Sequence, residues 1–274
     1  MNQSKSGMSR RNPYYPAFDL LLAKLLAAEQ ALNVSEAAFG HATDSPQEWL
    51  DRIPNGEMLG MLADICDDSI PGFVKHIPSL RIPDQETDCL LRALRDFRAQ
   101  SYLWAIARAF EAFRAFIEAI AKELPDTADA GTVKGLVSGT GTEQKGRKRF
   151  AEVLCAVRRA APHLVECENS NVRGICLSQW ICVVAAVRHA VAHSEGVLRD
   201  VDYKKYRNLG LEEHFPGEVE AHTGYVLKPT PEVAKKTIRT LREYGVAIYK
   251  FVSEAQSLPA GLVGQDGEIT TWRR

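Results

Sequence analysis

What the chain lacks narrows it before any motif is considered. It has no excess of either charge: 34 Lys and Arg against 35 Asp and Glu leave a formal net charge of -1. No global field draws it to nucleic acid or to an anionic membrane, so any contact with RNA must be local. It has no long apolar run. Arg, Glu or Lys interrupts each hydrophobic stretch short of the roughly 18 residues that a membrane span needs, which predicts a soluble protein with no membrane partner. The six cysteines, at 66, 89, 155, 167, 176 and 182, include no Cys-x-x-Cys pair. Most fall in apolar helical stretches, where Cys behaves as a small hydrophobe, and this usage suits a reduced, cytoplasmic compartment. Met1 to Arg11 is polar, without the apolar centre of a signal peptide, and reads as a disordered lead.

Strand-type alternation of β-branched residues is also nearly missing, while apolar residues recur at helical spacing. The expectation is an all-α protein. With 274 residues, 45% of them hydrophobic, it can bury one core with a helical appendage. A first helix is expected from about Ala17 to Leu32. Ser45-Pro46-Gln47-Glu48 signals the start of a second, which ends before Gly60. Pro78 and Pro83 mark a boundary. The strongest stripe, Leu103, Ile106, Phe110, Phe113, Ile117, Ile120 and Leu124, predicts a long helix from near Asp88 to Pro125. Residues 126 to 146, rich in Gly, Thr and Ala, read as a loop that lacks the ending of a phosphate-binding loop. Phe150, Val153, Leu154 and Val157 mark a helix that stops before Pro162. Leu177, Trp180, Ile181, Val184, Val187 and Val191 mark a buried one that stops at Gly196. Residues 197 to 228 are irregular, with a short strand at Tyr225-Val226-Leu227. Thr230-Pro231-Glu232 then opens a last helix towards Ser257. The organisation read from this is a helical N-terminal region over 1–83, a helical domain over 84–258 and a loose tail over 259–274.

One stretch looks built for chemistry. Arg188-His189-Ala190-Val191-Ala192-His193-Ser194-Glu195-Gly196 closes the buried helix, and its Arg and His can supply a transition-state cation and a proton-transfer group, needing no metal or cofactor. Composition alone expects about half of one Arg-x4-His match in a chain of this length, so context has to carry it. On a helix the two side chains lie roughly 140° apart. Two arrangements can unite them: the helix ends at His193 and frees the ring, or two copies meet and complete one site. In the second, one imidazole takes the proton of a ribose 2′-OH, the other protonates the leaving 5′-oxygen, and the guanidinium groups hold the anionic phosphorane. The plainer alternative pairs Arg188 with an acid such as Glu195 and leaves His193 to the last helical carbonyls. Arg207, Asn208 and His214 form a second Arg-polar-to-His pattern, with six intervening positions instead of four, among charged residues, around Gly210 and ahead of Pro216. His189 and His193 share a helical face with Cys182, but Ala190 removes the general base of a His-Glu-x-x-His metalloprotease; no metal is expected, and zinc-dependent chemistry at His189 and His193 is the third and weaker reading. Lys145, Arg147, Lys148 and Arg149 form the densest basic cluster, readable as a solvated helix start or as an RNA-backbone contact.

The string from Val187 to Gly196 resembles the signature of the HEPN superfamily of all-α ribonucleases: an Arg followed by Asn, Asp or His, then a His after four to six intervening positions. His189 fills the polar slot, and four residues intervene. Arg108-Ala109-Phe110-Glu111-Ala112-Phe113 is similar to a Phe-Glu-bearing helix that many HEPN proteins pack beside the motif, which makes Glu111 a supporting residue that orients the Arg or His. The resemblance implies a HEPN-like bundle with an additional helical N-terminal region, and a metal-independent endoribonuclease acting on RNA as a homodimer with the motif near the interface. It further implies toxin–antitoxin or defence settings, with an antitoxin or defence-system partner. Many HEPN domains are inactive, so a non-catalytic dimerisation or partner-binding module is the alternative.

Overall fold

The computed structural model describes residues 12–45, 87–124, 143–221, 223–263 and 269–271, without the side chains of 87–90, 92–93, 143–149, 261–263 and 269–271. The chain is mostly helical there: α1 (Tyr15–Asp44), α2 (Thr87–Glu123), α3 (Glu143–Ala160), α4 (Pro162–Asn169), α5 (Leu177–Ser194), α6 (Asp200–Arg207), α7 (Leu211–His214) and α8 (Pro231–Ala255). Short strands β1 (Val197–Leu198), β2 (Gly217–Glu220) and β3 (Gly224–Leu227) form an antiparallel sheet in the order β1-β3-β2. No described helix is long and apolar enough to cross a membrane. The helix start expected at Ser45-Pro46 and the boundary near Pro83 lie outside the described residues.

The structure differs from the sequence reading in four places. First, α1 continues past Leu32 to Asp44, and in the added turns the hydroxyls of Ser35 and Thr43 turn back to the carbonyls of Ala31 (2.9 Å) and Phe39 (2.7 Å) without breaking the helix. Second, residues 143–146, expected in a loop, are the first turn of α3, where an acid at the start suits the helix dipole and Gly146 costs only about 1 kcal/mol. Third, Pro162 stops α3 but also starts α4 as its first residue, because its fixed φ already suits a helix. Fourth, the region from 197 to 228 holds a sheet and two helices, and the expected loose tail includes an antiparallel hairpin of β4 (Gly261–Val263) and β5 (Ile269–Thr271). The all-α expectation therefore holds for the bulk of the chain, with small sheets added where strands are too short to show alternation.

Two compact units divide the chain. The first takes residues 1–26, 109–185 and 237–274. Its core gathers Phe18 and Leu21 of α1, Phe113 and Ile117 of α2, Val153 and Val157 of α3, and Ile238, Tyr244 and Val252 of α8. Phe18 stacks on Tyr249 with ring centroids 4.3 Å apart, and Phe113 stacks on Tyr244 at 5.2 Å. Asn12 ties the entry of α1 to the end of α8: its amide nitrogen reaches Ser253 Oγ (2.8 Å) and the Pro259 carbonyl (2.9 Å), while its oxygen accepts the Tyr14 N–H (3.0 Å). A Cβ at Gly245 would stand 2.4 Å from Leu21 Cδ2, so only glycine lets α8 approach α1 this closely. One carboxylate is buried here. Glu168 accepts Arg158 Nε at 2.8 Å and the Tyr244 hydroxyl on the same oxygen, and burial together with that charge drives the Tyr244 phenol well above its usual range.

The second unit takes residues 27–108 and 186–236. Leu32 and Phe39 of α1, Tyr102, Leu103 and Ile106 of α2, Val187 and Ala190 of α5, and Phe215, Tyr225 and Leu227 are buried in it. The Tyr225 hydroxyl donates to the Phe215 carbonyl at 3.0 Å, its ring stacks on Tyr203 at 4.8 Å, and burial pushes its phenol up to about 12. Arg98 grips Glu36 with two parallel bonds, Nε to Oε1 at 3.0 Å and Nη2 to Oε2 at 2.7 Å, and the Tyr102 hydroxyl donates to the same carboxylate. Hydrogen bonding from Arg98 holds the Glu36 carboxyl below its ordinary value of 4.5.

That depressed acidity fixes a sign. The pair's contribution is complete above the unfolded carboxylate value and disappears as pH falls through the lower folded value. Glu36→Gln is therefore expected to cost about 1 kcal/mol at pH 7, after discounting for the exposure of Arg98, and the gap to wild type should close as urea midpoints are taken towards pH 3. A gap that stays constant across this range would contradict the assignment.

Candidate functional site

The apolar stripe of α5 packs as expected, with Leu177, Trp180, Ile181, Val184, Val187 and Val191 all buried. Val183, Ala186 and Ala190 are buried too, which leaves α5 a narrow polar side. Cys182 and His193 on that side are exposed and His189 is half-buried. The spacing explains it: 182, 189 and 193 fall within about 40° of one another on an ideal helix, while 188 lies about 100° further round, at the margin, where Arg188 is half-buried.

The end of this helix is held in place by its own backbone and by two neighbours within the second unit. Glu195 (φ 51°) and Gly196 (φ 88°) are both left-handed, and the Gly196 N–H turns back to the Ala190 carbonyl at 3.0 Å. Gln100 Nε2 of α2 donates to the Glu195 carbonyl at 3.1 Å, and the Leu227 N–H of β3 donates to the Gly196 carbonyl at 3.0 Å. Gly196 is required twice over, since a Cβ there would lie 2.6 Å from Leu103 Cδ1. Neither Gln100 nor Leu103 carried any sign of this role in the sequence, being far from the motif along the chain.

The helix continues through His193 to Ser194, so the imidazole is not released by an early helix end. It rests instead against His189, with ring centroids 4.6 Å apart and the planes tilted by 53°. With both residues in the helix, Arg188 and His193 point in directions about 140° apart on one chain. Glu111 falls in the first unit, half-buried, with Arg114 placed between it (3.5 Å) and Glu118 (3.3 Å). Lys145, Arg147, Lys148 and Arg149 sit in the first turns of α3, and their side chains lie outside the described residues.

The second Arg-to-His pattern, Arg207 and His214, is split between two short helices, unlike Arg188 and His193 on one. Arg207 ends α6 and His214 ends α7, with left-handed Gly210 (φ 83°) between them. Arg207 faces Glu212 at 3.5 Å, and burial holds the half-buried His214 imidazole below its usual value. Among the described residues no group of three or more His, Cys, Asp or Glu side chains gathers as a metal site. Cys182 Sγ lies 3.3 Å from the Ser178 carbonyl.

Neither a protein-family model, nor a curated protein, nor a solved structure matches the chain.

The left-handed stop makes a direct demand on stability. Gly196→Ala should lower unfolding stability by about 1–3 kcal/mol, from the left-handed backbone and the crowding against Leu103 together, and adding Leu103→Ala should restore the crowding part relative to Leu103→Ala alone. Thermal or urea unfolding reads both, and a Gly196→Ala midpoint equal to wild type would contradict the described helix end.

Proposed function

We propose that the chain is a metal-independent endoribonuclease of the HEPN type, with Arg188 and His193 as its catalytic residues and His189 in support. The observation that carries the reading is the solvent-exposed His193 on a helix end held by several hydrogen bonds, with the half-buried Arg188 about a turn and a half before it on the same helix. An active-site group on a rigid element meets the positional demand of proton transfer, which tolerates little looseness.

Because Arg188 and His193 diverge by about 140° on one helix, the working site is completed by a second copy of the chain, which makes the protein a homodimer with the motif at or near its interface. One imidazole removes the 2′-OH proton as that oxygen attacks the adjacent phosphorus. The second imidazole gives a proton to the departing 5′-oxygen, and the Arg188 guanidinium groups stabilise the charge of the phosphorane. The products are a 2′,3′-cyclic phosphate and a 5′-hydroxyl. His189, in ring contact with His193, holds its orientation. On the resemblance of the motif region, the proposed setting is a cytoplasmic toxin–antitoxin or defence one, with an antitoxin or defence-system partner. The near-balanced charge favours a second reading, a non-catalytic dimerisation or partner-binding module, since it offers RNA no general attraction.

Incubation with RNA in EDTA, followed by end-group analysis, separates the two. Wild type should cut to cyclic-phosphate and 5′-hydroxyl ends, and His193→Ala or Arg188→Ala should cut at least a hundredfold more slowly while keeping the circular-dichroism spectrum and melting temperature. Equal cutting by wild type and His193→Ala would sink the catalytic reading.

A further inference from the structure

His189 and His193 stand one turn apart on the polar side of α5 with ring centroids 4.6 Å apart, a separation from which two imidazoles can reach one ion. We propose that His189 and His193 together bind one divalent transition-metal ion, of the Zn²⁺, Ni²⁺ or Cu²⁺ class, and that the bound ion turns the nuclease off by occupying the His193 lone pair. The second half rests on the endoribonuclease reading; the first does not.

An ion about 2.05 Å from one nitrogen of each ring stands about 3.2 Å from each ring centre, so an angle of about 90° at the metal puts the centroids about 4.5 Å apart and a tetrahedral angle puts them about 5.2 Å apart. The observed 4.6 Å falls at the near end of that range, so binding asks for side-chain rotation and no movement of the backbone. The backbone is the part least able to move, being held by the Gly196, Gln100 and Leu227 hydrogen bonds. Exposure of His193 provides the path of entry and leaves room for water on the remaining positions of the ion.

The donor type selects the metal. Neutral imidazoles suit Zn²⁺, Ni²⁺ and Cu²⁺, with Cu²⁺ held most tightly in the general order of affinities, whereas Mg²⁺ and Ca²⁺ require oxygen ligands. Cys182 shares the face but begins about 10.5 Å away along the axis from His189, too far to join the same ion. The site is therefore a two-ligand clamp with open positions, unlike a closed structural zinc site. An imidazole nitrogen committed to a metal cannot accept the 2′-OH proton. The same pair that serves an RNase working in chelator would thus be silenced by the free metal.

The test uses the full chain without a polyhistidine tag, titrated with ZnCl₂, NiCl₂ and MgCl₂ by equilibrium dialysis. One Zn²⁺ or Ni²⁺ per chain is expected to bind saturably, with no saturable Mg²⁺. His189→Ala and His193→Gln should each weaken binding at least tenfold with the melting temperature preserved, and His163→Ala, at an exposed imidazole elsewhere, should leave it unchanged. Wild-type affinity in both His189→Ala and His193→Gln would overturn the clamp. In the activity arm, Zn²⁺ should suppress wild-type RNA cleavage with a midpoint matching the dialysis midpoint, and EDTA should restore it. Cleavage that persists at saturating Zn²⁺ would overturn the switch. A protein that binds Zn²⁺ through the pair but never cuts RNA would support the clamp and remove the endoribonuclease reading instead.

Discussion

At Gly196 the backbone turns left-handed directly beneath Leu103, and the chemistry offered at the end of α5 depends on that turn. The two left-handed residues end the helix one residue after His193, and the amide of Gly196 satisfies a carbonyl that would otherwise be left open. The chain then runs straight into β1, where the Gly196 carbonyl is taken up by β3. A helix end left to fray would carry His189 and His193 on a moving support. Here the last turn has partners from α2 and from the sheet, so the two rings meet in one defined relation.

In each unit a carboxylate with little exposure is gripped by an arginine and a tyrosine: Glu168 with Arg158 and Tyr244 in the first, Glu36 with Arg98 and Tyr102 in the second. The energetic meaning of the two differs because their burial differs. The Glu168 side chain is 2% exposed and Arg158 is 19% exposed, so their attraction mainly offsets the cost of leaving water, and its use is to specify how α3, α4 and α8 meet. Arg98 is 40% exposed, so its pair with Glu36 is screened and serves more to align α1 with α2 than to stabilise either strongly. In both, the tyrosine hydroxyl supplies a donor without adding charge, and burial beside the carboxylate keeps it protonated.

The helices were largely legible in the sequence because their signals are local and repeat. The stripe from Leu103 to Leu124 announced α2, and Thr230-Pro231 announced α8 within a residue or so. What escaped notice has a common cause: a residue type with two meanings. Pro162 reads as a stop until α4 is seen to start on it, and Gly146 reads as loop until it is found in the first turn of α3. Strands of two to four residues are shorter than the pattern by which strands are recognised, and β1, β2 and β3 depend on pairing partners distant in sequence.

For the site itself, the residue types and their spacing along α5 were sufficient to establish which groups lie on one face and which cannot, since helical geometry follows from the count alone. They determined that His189 and His193 are neighbours and that Arg188 and His193 diverge. Tertiary structure decided the rest: that the helix runs on through His193, that Gln100 and Leu227 secure its end, that Leu103 leaves room at 196 for glycine only, and that the second Arg-to-His spacing is divided between two short helices. The reason is physical. A helix face is set by neighbours three and four residues away, whereas a helix end and its exposure are set by contacts whose partners the local sequence does not contain.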